Sequence, residues 1–190
     1  MTLDIRGSMK NTIISRNPYA VFEELISNSI DAYLIRKNSE PEVSYLRIEI
    51  EVNFSFGDLL NDREEMEIVC RDNGCGLGED QLKAFLTKDT SYKDDLLIFG
   101  IGKCRGSGRI QFFHHFSNIS IISNCKQDNN IIKRIMNYME PKKQIDANDF
   151  AISSGKMEEI GTTVRLNRLR EAVRTELNRS EERRVGKECR

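Results

Sequence analysis

This sequence predicts an α+β fold, a two-layer α/β sandwich with helices over one mixed, mostly antiparallel sheet. Three observations predict it: one early segment has apolar residues at helical spacing, several later segments alternate at strand spacing, and short polar turns separate successive strands. The 190 residues are enough for one well-buried domain, and 38% hydrophobic with 31% charged residues is an ordinary globular composition.

A polar lead-in precedes the first helix, expected over residues 18–37. Pro18 suits a first helical turn, and Asn17 before it is a candidate N-cap. Residues 45–56 alternate, with Leu46, Ile48, Ile50, Val52 and Phe54 on one side and Arg47, Glu49, Glu51 and Asn53 on the other, as in a strand with one wet face. After a turn at 61–65, a second strand over 66–71 runs into Asp72-Asn73-Gly74-Cys75-Gly76. A short helix is expected over 79–87, then an aperiodic stretch rich in Gly, Lys and Asp over 88–108, then an apolar helical segment over 110–116. Residues 118–125 and 131–139 read as paired strands joined by a turn at 127–130. Residues 156–166 end in a last strand, and 168–178 start another helix.

Composition excludes several classes. Apolar runs such as Leu96-Leu97-Ile98-Phe99 fall far short of the roughly 20 residues a membrane span needs. No signal-peptide core opens the chain, so no membrane association and a cytoplasmic location are expected. The five cysteines form no C-x-x-C pair and the two histidines, His114 and His115, are adjacent, which favours free thiols over a zinc site. A net charge of −1 gives no electrostatic reason to expect nucleic-acid binding. The last twelve residues, 179–190, include eight charged ones and resemble a translated sequencing adapter. They are expected to be non-native, with residues 1–178 forming the domain and further C-terminal domains of the natural protein missing.

Three segments carry chemistry. In Glu24-Leu25-Ile26-Ser27-Asn28-Ser29-Ile30-Asp31, helical spacing sets Glu24, Asn28 and Asp31 within roughly 60° of one another, with Phe22, Leu25, Ile26, Ser29, Ile30 and Tyr33 on the opposite side. This is either a solvated polar face or a magnesium–phosphate site. In the second reading the amide oxygen is a hard metal ligand and a carboxylate one turn away activates a water. A strand ending in Asp72-Asn73-Gly74-Cys75-Gly76 is either a glycine turn or a purine site, where glycine lets the backbone approach a flat ring and the carboxylate accepts from an adenine amino group. Residues 99–109 hold Gly100, Gly102, Gly106 and Gly108 with Lys103, Arg105 and Arg109 before a helix, either a plain surface loop or a cradle for a triphosphate. It is not a Walker A loop, because G-x-x-x-x-G-K-[ST] is absent. Near the end, Gly161-Thr162-Thr163 could set a hydroxyl against Asp72.

Together these segments resemble the GHKL superfamily of gyrase, heat-shock-90 chaperones, histidine kinases and MutL. Glu24 to Ala32 is similar to its N-box, Asp72 to Gly76 to its G1 box, Gly100 to Gly108 to its G2 box and lid, and Gly161-Thr162-Thr163 to its G3 box. They stand in the family's order and cover most of the chain outside the tail. The resemblance implies the Bergerat fold, with ATP and Mg2+ as cofactors. It implies Glu24 as catalytic base, Asn28 as metal ligand, Asp72 as adenine-binding carboxylate, and Asp31 as the acidic position after the N-box amide. Gly74, Gly76, Thr162 and Thr163 would complete the nucleotide site, and the lid glycines with Lys103 and Arg105 would contact phosphate. The glutamate before Asn28 favours ATP hydrolysis over phosphotransfer. The expected role is an ATP-driven switch, with a possible ATP-dependent homodimer. A histidine-kinase-like phosphotransferase and a non-hydrolysing interaction module are the alternatives.

Overall fold

The computed structural model describes residues 1–15, 17, 19–55, 65–88, 90–102 and 108–175. Lys103, Arg105, Gly106, the helix start at Pro18, most of the turn at 61–65 and the tail at 179–190 lie outside the described residues.

The lead-in is not featureless: it forms strand β1 (Thr2–Asp4) and helix α1 (Ile5–Asn11). Asp4 caps α1 by accepting a hydrogen bond from the Gly7 amide at 3.0 Å, and Leu3 and Ile5 enter the core. Two apolar residues among polar neighbours give too little periodicity to reveal an element this short. Helix α2 (Ala20–Ser39) follows. Its N-cap is Tyr19 rather than Asn17, and Asn17 instead accepts from the Tyr19 amide at 3.0 Å as an Asx turn leading into the helix.

Strands β2 (Ile48–Ser55) and β3 (Glu65–Asp72) pair antiparallel, and helix α3 (Glu79–Leu86) comes next. A single 3-10 turn at Asp94–Leu96 precedes helix α4 (Ile110–His115). Strands β4 (Phe116–Gln127) and β5 (Asn130–Met139) form the predicted hairpin, turning through Asp128 with φ of 53°. Strands β6 (Gln144–Asp146) and β7 (Phe150–Ser154) occupy a stretch where the sequence predicts nothing. Strand β8 (Gly161–Leu169) and helical residues 171–175 end the described chain.

Among the described residues the main sheet has six strands in the order β2-β3-β8-β4-β5-β7, while β1 pairs with β6 in a separate ribbon. Every described ladder is antiparallel, in keeping with the mostly antiparallel sheet the sequence predicts. The helices lie over one face, the second layer of the predicted sandwich. Between the layers are Val21 and Leu25 of α2, Ile110 and Phe113 of α4, and Ile68, Ile119, Met136 and Leu166 of the sheet. Burying each such side chain contributes roughly 1.5–3 kcal/mol. The opposite face carries ion pairs such as Arg165–Glu67 and Arg71–Glu51. At the free edge, β2 leaves Phe54 exposed, so the predicted dry side of that strand is dry only at its Ile48 end.

The α2 pattern also needs correction. Ile26 and Ile30 are exposed, whereas Asp31 is 3% exposed. The buried arc of the helix runs through Val21, Leu25 and Ser29, and the polar triad lies on its flank rather than opposite to it. Segments between α3 and α4 cover that flank, a tertiary contact that helical periodicity alone does not reveal.

Candidate functional site

Antiparallel register brings Asp72, the last residue of β3, opposite Thr162, near the start of β8. The backbone amide of Cys75 donates to the Ala32 carbonyl at 3.0 Å, tying the loop after β3 to α2. Arg36 of α2 reinforces the tie, donating to the Asn73 carbonyl at 3.0 Å. A cavity of about 410 Å³ opens at this junction.

Glu24, Asn28 and Asp31 line one side of the cavity, and Asp72, Gly76 and Thr162 line another. Gly102 and Gly108, from the ends of the predicted lid, close it, while Ile121 and Val164 supply an apolar floor. Three predicted residues do not reach the cavity wall. Gly74 acts behind Asp72, Gly100 sits near Leu34, and Thr163 alternates to the other side of β8 from Thr162 and Val164.

The Asp72 carboxylate is held by two backbone amides and the Ser29 side chain. Its Oδ1 accepts from the Gly74 amide at 2.8 Å and from the Thr162 amide at 3.3 Å. The Thr162 hydroxyl is 3.2 Å from the Ser123 hydroxyl, so the main chain, and not the predicted side chain, makes this contact to Asp72. Burial pushes the Asp72 pKa up to about 6, and the two backbone amides oppose that rise. Burial, and then the nearby Asp72, push the Cys75 thiol up to about 12.

The α2 triad is a connected chain of contacts. Asn28 Nδ2 donates to Glu24 Oε1 at 2.7 Å, which fixes the amide orientation because only the nitrogen can donate to a carboxylate. Asn28 Oδ1 then faces Lys93, whose Nζ lies at 2.9 Å. The same ammonium is 2.7 Å from Asp31 Oδ2, and the Gly102 amide donates to Asp31 Oδ1 at 3.0 Å. A Cβ at position 108 would fall 1.9 Å from Glu24 Oε2, so any side chain there would push the Glu24 carboxylate out of its present position. Gly76 is required, with φ of 71° and its missing Cβ directed at the Asn124 carbonyl.

A model of one family, described as histidine kinase-, DNA gyrase B-, and HSP90-like ATPase, matches residues 17–164. The chain belongs to this family. It carries a GHKL-type ATP-binding domain. No curated protein matches the chain. Among the described residues, no helix is long and apolar enough to cross a membrane.

Sequence reasoning missed several lining residues. Lys93 and Tyr92 come from the aperiodic stretch, and Gln81 of α3 donates to the Tyr92 hydroxyl at 2.8 Å. No spacing singles out Lys93 among the lysines of that stretch. Arg109, read only as one lid cation, donates to the Thr87 carbonyl at 2.7 Å and lies over the Phe85 ring.

Proposed function

We propose that the chain is a Mg2+-dependent ATPase module whose nucleotide cycle drives a conformational switch in a longer protein. One observation carries the reading: a single cavity joins Glu24 and Asn28 to Asp72. Asp72 is the adenine-reading group. Both its backbone bonds end on Oδ1, with Ser29 bonding the carboxylate as well; Oδ2, which has no backbone partner, is the acceptor assigned to the purine amino group, where guanine would present an oxygen instead. Ile121 and Val164 give the ring an apolar bed.

The α2 residues suit the triphosphate end. Among the described residues no cluster of three or more His, Cys, Asp or Glu could hold a metal by itself. Mg2+ takes one or two protein oxygens and completes its shell with phosphates and water. The donor set suits a hard cation, since Asn28 Oδ1 and the Asp31 carboxylate already converge on the Lys93 ammonium. Asn28 would hold the metal, and Mg2+ when bound would neutralise phosphate charge and polarise the γ-phosphate. Glu24 is the candidate base, its carboxylate oriented by Asn28 to accept a proton from the attacking water. Gly102 and Gly108 bring the lid ends against this group, and Lys103, Arg105 and Gly106, expected as further phosphate contacts, lie outside the described residues.

Calorimetry and phosphate release test it together. Glu24→Ala should keep ATP affinity within about threefold while turnover falls at least about 100-fold. Asp72→Asn should abolish measurable ATP binding. Normal binding by Asp72→Asn would remove the adenine assignment, and transfer of labelled phosphate to a protein acceptor would point to the phosphotransferase instead.

A further inference from the structure

Lys93 stands where a metal ion is expected. It lies just before the 3-10 turn at Asp94–Leu96, with its side chain 21% exposed. Its ammonium nitrogen is 2.9 Å from Asn28 Oδ1 and 2.7 Å from Asp31 Oδ2. Neither oxygen has much freedom. The Asn28 amide is orientated by Glu24, and Asp31 has a side chain only 5% exposed and pinned through its other oxygen to the Gly102 amide. A carboxylate buried to that extent requires a cation beside it. An ammonium and a divalent ion cannot share these two oxygens, because like charges a few ångströms apart repel strongly in a partly buried site.

We propose that Lys93 is a placeholder cation: it neutralises the Asn28–Asp31 pair when no metal is present and is displaced as Mg2+ enters. Lysine suits this part, being a compact point charge on a flexible stem whose departure breaks no rigid bidentate pairing. Lys93 then sets how strongly nucleotide binding depends on the metal. While its charge remains, the pocket tolerates metal-free ATP and resists Mg2+. Without it, Glu24, Asp31 and Asp72 repel the bare triphosphate and favour the metal complex. The inference rests on the Mg2+–ATP reading of the site.

Calorimetric titration with ATP in excess Mg2+ and in excess EDTA tests it on the whole chain. The quantity of interest is the ratio of the EDTA Kd to the Mg2+ Kd. Lys93→Met should raise this ratio at least about tenfold, equivalent to about 1.4 kcal/mol, whereas Lys93→Arg, which keeps the charge and holds the carboxylate more rigidly, should not raise it above the wild-type value. A lysine that only props up Asp31 would weaken both titrations equally, so an unchanged ratio in Lys93→Met overturns the placeholder while leaving the ATP site standing. Absence of wild-type binding under both conditions overturns the ATP site and the placeholder together. If Lys93→Met does not melt cooperatively, Lys93→Gln keeps a donor for Asp31, removes the same charge and is read by the same ratio.

Discussion

At the scale of single residues, Asp72 concentrates the physical tension of the site. Its folded pKa of about 6 lies above the ordinary 3.8, so the folded chain holds the proton more tightly than the unfolded chain does. The associated stability is fully present below the unfolded value and is lost as pH rises through about 6. At neutral pH the ionised carboxylate is therefore a cost of up to about 3 kcal/mol, and its function lies in what it accepts. Asp72→Asn should melt at or above the wild-type temperature at pH 7 even as ATP binding disappears. In the wild type, ATP affinity should fall by up to about tenfold per pH unit once the pH drops below about 6, a trend calorimetry can follow. Gly108 gives a steric counterpart. Gly108→Ala forces Glu24 from its bond with Asn28, so phosphate release should drop at least about tenfold, with ATP affinity changing far less.

At the scale of elements, the legible parts are those whose pattern is local. The α2 periodicity, the β4–β5 hairpin with its polar turn and the Asp72-to-Gly76 run could be read directly, and their elements fall within a few residues of expectation. The elements β1, α1, β6 and β7 could not, because strands of three to five residues and a seven-residue helix hold too few positions for a period to emerge. The exposure of Ile26 and Ile30 and the burial of Asp31 escaped for another reason: they depend on what packs beside α2, and residues 90–102 carry no periodic signal. The same blindness hid Lys93 and Arg134. Arg134 of β5 is almost wholly buried, pairs with Glu79, and donates to the Leu77 carbonyl at 2.7 Å and to Cys125 Sγ at 3.1 Å. It anchors the loop that leads from Gly76 into α3. Arg134→Ala should destabilise the fold by about 3 kcal/mol, and denaturant titration would show it. Glu79→Ala should also destabilise the fold, because it leaves the buried Arg134 guanidinium without its carboxylate.

At the scale of the whole molecule, a ligand that binds only the folded chain must stabilise it. ATP with Mg2+ at about 100 times its Kd should add about 2.7 kcal/mol and raise Tm by about 5–10 °C, a shift that differential scanning fluorimetry would detect. The proposed switch adds a second expectation. Sedimentation with a non-hydrolysable ATP analogue should show a homodimer if lid closure exposes a joining surface, and a monomer throughout would confine the switch to rearrangement within one chain.

The strand order has a consequence for biosynthesis. The strand β8 sits between β3 and β4, at the middle of the sheet, yet of the eight described strands it is the last to leave the ribosome. Until residues 161–169 emerge, β3 and β4 each present an unsatisfied edge, and Asp72 lacks the amide that helps to hold it. Nascent chains stalled before that point should therefore be incompetent for ATP and recruit holdase chaperones, while chains only some fifteen residues longer should snap shut.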